Sequence, residues 1–142
     1  MPEHLIILGG SYIALEFSQI FRRFGARVTV IERGPQLVFR EDADVAEAIK
    51  EILELEGIEF CLDSGVVEVA PDGAGVAVTI SRDGEERLLS GSHFLVAIGR
   101  TPNSDGLNVE AAGIELDERG FIQVDDHCRT TAEGVFAVGD IN

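Results

Sequence analysis

Hydrophobic runs punctuated by glycine divide the start of the chain into short strands and an amphipathic helix. The apolar run His4–Leu8 predicts a strand buried on both faces, and Gly9 ends it. The next apolar residues recur at the spacing of one helical face, which comprises Ile13, Phe17, Ile20, Phe21 and Phe24. Gly25 ends that helix, and Arg27–Ile31 predicts a second strand. Strand, helix and strand within about thirty residues match the size of a nucleotide-binding half.

A second helix follows from about Asp44 to Glu56, with a predicted capping box formed by Asp44 and Glu47. Its apolar positions repeat the helical spacing at Val45, Ile49, Ile52 and Leu53. The next predicted strand is Ile58–Leu62. Val66–Ala70 and Val76–Ser81 then flank a loop rich in turn-forming residues, which predicts a β-meander.

The run His93–Ile98 predicts another buried strand, and turn residues dominate from Gly99 onward. Short strands are predicted near Phe121–Val124 and Val135–Val138. The predicted fold class is therefore α/β, a Rossmann-like parallel sheet with helices on its faces and a β-meander crossover. The change in composition after residue 98 predicts a boundary between residues 1–98 and 99–142.

The net charge of −15 at pH 7 argues against nucleic acid as a partner, because a phosphate backbone repels an acidic surface. The charge is uneven. Residues 1–40 carry five arginines against three glutamates, a net +2, so residues 41–142 carry −17. A small anionic ligand therefore meets the least repulsion on the first forty residues. No apolar run approaches the roughly 20 residues of a membrane helix, and we expect a cytoplasmic protein without a membrane partner.

The cysteines and histidines do not form a recognisable metal or redox motif. Cys61 and Cys128 are too far apart for a paired metal site, so no metal is predicted. Cys61 lies in an apolar run, where a thiol acts as a small hydrophobic group. The three histidines, His4, His93 and His127, are expected to be solvated surface residues.

The glycine turn after the first strand is an imperfect G-x-G-x-x-G/A motif. In such turns the first glycine allows the tight turn, the second lets the backbone approach a pyrophosphate, and the third position must be small. Gly9 and Ala14 occupy the first and third places, whereas Ser11 replaces the second glycine. The Ser11 Cβ reduces the clearance, although its hydroxyl can hydrogen-bond a phosphate oxygen.

Glu32 ends the second strand, 23 positions after Gly9, close to the spacing of about 20 expected for a ribose-binding acid. A carboxylate there accepts hydrogen bonds from the ribose hydroxyls and repels a 2′-phosphate, which favours NAD over NADP. The adjacent Arg33 partly offsets that repulsion. Two other classes of protein remain open at this point: a self-contained, non-catalytic nucleotide-binding or sensor domain, and an adenosine-binding methyltransferase.

Four stretches together resemble the pyridine nucleotide–disulfide oxidoreductases, the flavoenzymes that include dihydrolipoamide dehydrogenase, glutathione reductase and mercuric reductase. They cover the chain in the order found in that family, at residues 8–16, 97–103, 120–125 and 130–140. The resemblance implies an NAD-binding domain at residues 1–98. It also implies that residues 99–142 belong to the FAD domain of a longer enzyme, in which NADH reduces FAD and FAD reduces a disulfide or another acceptor.

The resemblance also implies roles for individual residues. The backbone of Gly9, Gly10, Ser11, Tyr12 and Ile13 would hold the pyrophosphate of NAD, with Glu32 and Arg33 at the adenosine ribose. Tyr12 would shield the flavin at the nicotinamide entrance, and Glu16 would face the nicotinamide. Val66 would touch the adenine and Gly99 would pass close to the nucleotide. Gly139 and Asp140 would bind FAD, with Asp140 at the ribityl hydroxyls.

The family's other parts, an N-terminal FAD fingerprint, usually a C-x-x-x-x-C redox pair, and a dimerisation domain with a catalytic His–Glu, do not occur in this sequence. The resemblance therefore implies a segment of a homodimeric parent enzyme that is inactive on its own. We expect residues after Gly99 to pack poorly or to lean on a neighbouring chain by self-association.

Overall fold

The apolar run at the start of the chain forms an inner strand of a parallel sheet. The computed structural model describes residues 1–142, which form two compact units, Met1–Ile98 and Gly99–Asn142. The first unit contains four parallel strands, β1 His4–Leu8, β2 Arg27–Ile31, β3 Glu59–Cys61 and β7 His93–Val96. They lie in the order β3-β2-β1-β7.

The remaining elements of the first unit are two helices and a three-stranded antiparallel meander. The helices are α1, Tyr12–Arg23, and α2, Ala43–Leu55. The meander comprises β4 Gly65–Asp72, β5 Gly75–Arg82 and β6 Glu85–Gly91. The α/β fold class predicted from the sequence is confirmed. The third meander strand, β6, had not been predicted as a separate element.

Alternate residues of the parallel strands divide the core between the two faces of the sheet. Leu5 and Ile7 of β1 pack in one cluster with residues of both helices, including Leu15 and Leu53. Ile6 packs in a second cluster with residues of the meander, including Val78, Ile80 and Leu89. Both helices thus contribute to the first cluster, called the helix-side cluster, and the meander contributes to the second, called the meander-side cluster.

The helical face predicted for α1 is correct only in part, since Phe21 packs against the core and Ile13 is half-buried. The buried residues of α1 are Ala14, Leu15 and Ser18, whereas Phe17, Ile20 and Phe24 are 41%, 48% and 67% exposed. The small side chains of Ala14 and Ser18, both fully buried, let the helix backbone pack closely against its surroundings. Phe17 stacks on Phe21 with ring centroids 6.3 Å apart.

The capping box predicted for α2 is also wrong, because the helix begins earlier. Its N-cap residue is Asp42, which forms no side-chain cap. The Asp44 carboxylate accepts a hydrogen bond from the adjacent Val45 N–H, and Glu47 pairs with Lys50 at 2.9 Å. Of the predicted apolar face, Leu53 is buried, Ile49 is partly buried, and Val45 and Ile52 are 44% and 56% exposed.

The strand β7 is an edge strand rather than a fully buried one, and Val96 at its end is 56% exposed. The strands predicted in the second unit are reduced to two isolated bridges, Leu116–Ile122 and Arg129–Phe136. A small core of Val109, Ile122 and Ala137 holds this unit together, while Phe136 and Val138 are 62% and 71% exposed.

The expectation that His4 is solvated is wrong, because its side chain is only 7% exposed. Its Nε2 lies 2.9 Å from Thr29 Oγ1, and the Thr29 hydroxyl donates to Glu59 at 3.0 Å. Its Nδ1 lies 2.8 Å from the Ser90 carbonyl and 2.6 Å from an Arg27 nitrogen. Burial lowers the pKa of His4 below its usual value of 6.5, with a smaller lowering from Arg27.

Cys61 is half-buried against the meander-side cluster, as expected for a small hydrophobic group, and burial raises the pKa of its thiol. No helix of the structure is long and apolar enough to cross a bilayer.

Candidate functional site

The carboxyl ends of the parallel strands meet at one edge of the sheet, because their residues pair in register. Leu8, the last residue of β1, pairs with Ile31 of β2 and with Val96 of β7. The residues that follow therefore lie together: the Gly9 N–H donates to Ile31 O at 2.8 Å, and the Ala97 N–H donates to Leu8 O at 2.8 Å. In open α/β sheets, ligands bind in the crevice at this edge.

The carboxylate of Glu32 connects the glycine turn to the loop after β2. Its Oε2 accepts a hydrogen bond of 2.6 Å from the Gly10 N–H, and its Oε1 accepts one of 2.7 Å from the Gly34 N–H. The Glu32 backbone N–H donates to the Cys61 carbonyl, and the Glu32 carbonyl accepts a hydrogen bond from the Ser64 N–H. The side chain is therefore held in one orientation at the edge of the sheet, beside the glycine turn.

Neither Gly9 nor Gly10 has room for a side chain at its position in the turn. A Cβ on Gly9, whose φ is +115°, would lie 2.5 Å from the carbonyl oxygen of Ala97. A Cβ on Gly10 would lie 2.8 Å from both Cγ and Oε2 of Glu32. Glycine at position 10 is thus needed for the close approach of the Glu32 carboxylate.

Ser11, the departure from the sequence motif, fits the turn without strain. It is the N-cap residue of α1, with φ −92° and ψ 177°, an extended conformation open to any residue. Its hydroxyl forms no capping hydrogen bond, and no acidic residue lies in the first turn of the helix. The first N–H groups of a helix have no partner within the helix and carry a partial positive charge, so an anion is stabilised there.

Tyr12, Ile13 and Glu16 lie on the first turns of α1. Tyr12 is 59% exposed, Glu16 is exposed and Ile13 is half-buried. Tyr12 and Glu16 line a shallow groove of about 310 Å³. The groove's remaining lining comes from α1, the loop before α2, and α2, at Leu15, Gln19, Val38, Ile49, Ile52 and Leu53.

Two further residues predicted for the site differ in their surroundings. Arg33 follows Glu32 directly and is exposed. Val66 lies on β4, and its side chain packs against the meander-side cluster with Ile80 and Leu89. That packing gives Val66 a structural role in the core.

The residues predicted for FAD binding belong to the second unit. Asp140 is paired with Arg100, and Oδ2 and Nη1 lie 2.6 Å apart on two exposed side chains. Gly139 precedes Asp140, and its carbonyl accepts the Asn142 N–H at 3.4 Å. Gly99 is the first residue of this unit.

Two contributors to the site were not predicted from the sequence. Gly34 supplies one of the two N–H groups that donate to the Glu32 carboxylate. The sequence signal for this contact is a glycine two positions after the acid. The Val38 N–H donates to the Gly10 carbonyl at 2.8 Å. No pattern of residue types identifies this second contact, because it is made by backbone atoms.

Comparison with known proteins identifies the family. The sequence profile of the family described as pyridine nucleotide-disulphide oxidoreductase matches residues 1–142. The chain is 38% identical over 142 residues to dihydrolipoyl dehydrogenase of Cupriavidus necator, covering 99% of this chain and 30% of that protein. It is 37% identical over 141 residues to mercuric reductase of Streptomyces lividans, with 99% and 30% covered.

The solved structures agree with the sequence comparisons. The HOCl-induced flavoprotein disulfide reductase of Escherichia coli superimposes with a TM-score of 0.86 at 37% identity, covering 99% of this chain and 31% of that one. The chain thus spans about 30% of the length of its curated relatives. The resemblance inferred from the four motifs is confirmed, and the chain belongs to the pyridine nucleotide-disulphide oxidoreductase family.

Proposed function

We propose that residues 1–98 bind NAD(H) within an FAD-dependent oxidoreductase, in which NADH reduces FAD and the electrons pass to a disulfide or another acceptor. The observation that carries this proposal is the Glu32 carboxylate, fixed by Gly10 and Gly34 at the carboxyl edge of the parallel sheet. It lies beside a glycine turn that opens a helix, which is the arrangement expected for a dinucleotide.

The residues of the turn fit a pyrophosphate. Gly9 and Gly10 leave no side chain over the turn, and the Ser11 hydroxyl is not used for capping. The first turn of α1 contains no acidic residue of its own, so its positive end is not neutralised from within the helix. Backbone N–H groups from Ser11 to Ile13 would bind the phosphate oxygens.

Glu32 fits the adenosine ribose. Each carboxylate oxygen has two lone pairs and accepts one backbone N–H, so each retains an acceptor position for a ribose hydroxyl. A 2′-phosphate at the same place would be repelled by the carboxylate, whereas the exposed Arg33 would attract it. We therefore propose a preference for NADH over NADPH that Arg33 reduces.

The nicotinamide end would lie toward Tyr12 and Glu16 at the start of α1. When bound, NADH supplies the hydride, and the protein contributes orientation and electrostatics. Tyr12, largely exposed, is free to move aside as the nicotinamide enters. Glu16, one turn along the helix, would carry its negative charge beside the nicotinamide ring.

Residues 99–142 would form part of the FAD domain in a homodimeric parent, with Gly139 and Asp140 at the flavin. The exposed Arg100–Asp140 pair leaves further Asp140 lone pairs for ribityl hydroxyls. A self-contained nucleotide sensor is the alternative, because the first unit has a core of its own. The oxidoreductase family match over residues 1–142 disfavours the methyltransferase hypothesis.

Calorimetric titration of the chain with NADH, NADPH and FAD tests the proposal. NADH is expected to bind tightest. Glu32→Gln removes the charge but keeps the shape, so the ratio of NADH to NADPH affinity should fall roughly tenfold, the equivalent of about 1.4 kcal/mol. Glu68→Gln, on an exposed β4 position, is the matched control and should leave both affinities unchanged.

Each alternative result contradicts a different part of the proposal. Tighter binding of NADPH by the unsubstituted chain would overturn the NAD preference. Preferential binding of FAD would assign the turn to the flavin dinucleotide. If the chain has a native circular dichroism spectrum and binds none of the three, the nucleotide-binding proposal fails.

A further inference from the structure

Val38 has a backbone conformation that its side chain disfavours. Its φ is 42°, in the left-handed region, where a β-branched residue is a genuine outlier. The other non-glycine residues in this region are unbranched at Cβ, namely Asp63, Asp83, Asn108 and Cys128. Such conformations persist only where the surrounding structure enforces them, and they cluster at functional sites.

Three contacts enforce the conformation of Val38. Its N–H donates to the carbonyl of Gly10 at 2.8 Å, and its own carbonyl accepts the Glu41 N–H at 2.8 Å. The preceding side chain, Leu37, is 1% exposed and anchors the loop in the helix-side cluster. Leu37 therefore fixes the loop, and the left-handed turn at Val38 directs its N–H toward Gly10.

Gly10 is consequently held at both of its polar groups. Its N–H donates to Glu32, and its carbonyl accepts from Val38. The Gly10 carbonyl and the Ser11 N–H belong to the same planar trans peptide, in which the two groups point in opposite directions. Holding the carbonyl toward Val38 therefore turns the Ser11 N–H away from that loop.

We propose that Val38 is a positioning residue that presets the Gly10–Ser11 peptide so that the Ser11 N–H is ready to bind the pyrophosphate. Val38 acts through its backbone N–H, which holds the carbonyl of that peptide. The inference rests on the proposed function, since it assigns one determinant of affinity at the same site. Its physical basis is that a turn already in the binding conformation loses less freedom when the ligand arrives.

Two substitutions separate the backbone conformation from the side chain. Val38→Asn keeps a residue that tolerates the left-handed region, so the contact with Gly10 is retained. Val38→Pro removes the N–H that binds Gly10 and fixes φ near about −65°, so the contact with Gly10 is lost. Asp83→Pro is the matched control, because Asp83 also has a positive φ, 52°, and lies in the β5–β6 turn.

The affinity for NADH, measured by calorimetry, is expected to weaken roughly threefold to tenfold in Val38→Pro, because the Gly10–Ser11 peptide loses its preset orientation. Val38→Asn and Asp83→Pro should stay within about twofold of the unsubstituted chain. Without nucleotide, the amide NMR signals of Gly10 and Ser11 should shift in Val38→Pro, with little change in Asp83→Pro.

Unchanged NADH affinity in folded Val38→Pro overturns the inference. A comparable loss in Val38→Asn or in Asp83→Pro also overturns it, because it would mark a side-chain effect or a general effect of destabilisation. Unshifted Gly10 and Ser11 amide signals in Val38→Pro overturn it independently of any nucleotide. Failure of the unsubstituted chain to bind NADH instead removes the proposed function, and the positioning role with it. The two failures are therefore distinguishable.

Discussion

The Glu32 carboxylate lies 2.6 Å from the backbone nitrogen of Gly10, in the space that any side chain at residue 10 would need. The hydrogen bond to Glu32 and the requirement for glycine at residue 10 therefore have the same cause, the close approach of the carboxylate. Glu32 comes from the end of β2 and Gly10 from the turn after β1, so the contact also joins neighbouring strands beyond the end of their backbone pairing.

Gly10→Ala should destabilise the chain by about 2 kcal/mol, because its Cβ displaces Glu32 and leaves the Gly10 N–H without its charged acceptor. Urea denaturation followed by circular dichroism measures the change. Gly106→Ala is the control, since that Cβ enters open space and its φ is not positive. Equal stabilities of the two variants would show that Glu32 adjusts without cost.

Ala14→Leu should cost about 1–3 kcal/mol of unfolding free energy, because Ala14 is fully buried between α1 and the sheet and a larger side chain overpacks that contact. Ala48→Leu, at an exposed position of α2, is the matched substitution and should change stability by less than about 0.5 kcal/mol. Thermal unfolding of both variants provides the comparison. A neutral Ala14→Leu would mean that α1 moves freely away from the sheet.

His4 should make the stability of the chain depend on pH near neutrality. Its folded pKa lies below 6.5, so the unfolded chain binds a proton first as pH falls. The contribution of neutral His4 to the free energy of unfolding is therefore complete above pH 6.5, and it is lost as the pH decreases through the folded pKa. The slope cannot exceed about 1.4 kcal/mol per pH unit, the value for one whole proton.

Urea titrations between pH 5 and pH 8 measure this slope, and His4→Gln should reduce it. His127→Gln removes an exposed histidine and should leave the slope as it is. A His4→Gln slope equal to that of the unsubstituted chain would contradict the assignment of the dependence to His4.

The elements at the start of the chain could be predicted because their signals are local. The apolar runs of β1 and β2 and the glycines between them define a strand–helix–strand unit, and both strands have the predicted bounds. The position of Glu32 follows from the same spacing, since an acid at the end of β2 lies beside the turn after β1. The order of elements along the chain was thus enough to place Glu32, the principal polar group of the candidate site.

What could not be predicted depends on contacts between distant segments. The face of α1 that meets the sheet is set by the clearance at Ala14 and Ser18, which outweighs the size of Phe17 and Phe24. His4 is buried because Thr29, Glu59 and Ser90 come from three other strands. The contact of Val38 with Gly10 is made by backbone atoms, so no side-chain pattern announces it.

The pairing of β1 with β7 has a consequence for the order of folding. Leu5 pairs with His93, almost ninety residues later, whereas β1 pairs with β2 across a single helix. Closing so long a loop carries an entropic cost that local pairs avoid, and such contacts slow folding. During synthesis on the ribosome, one edge of β1 therefore stays without its partner until the whole meander has emerged.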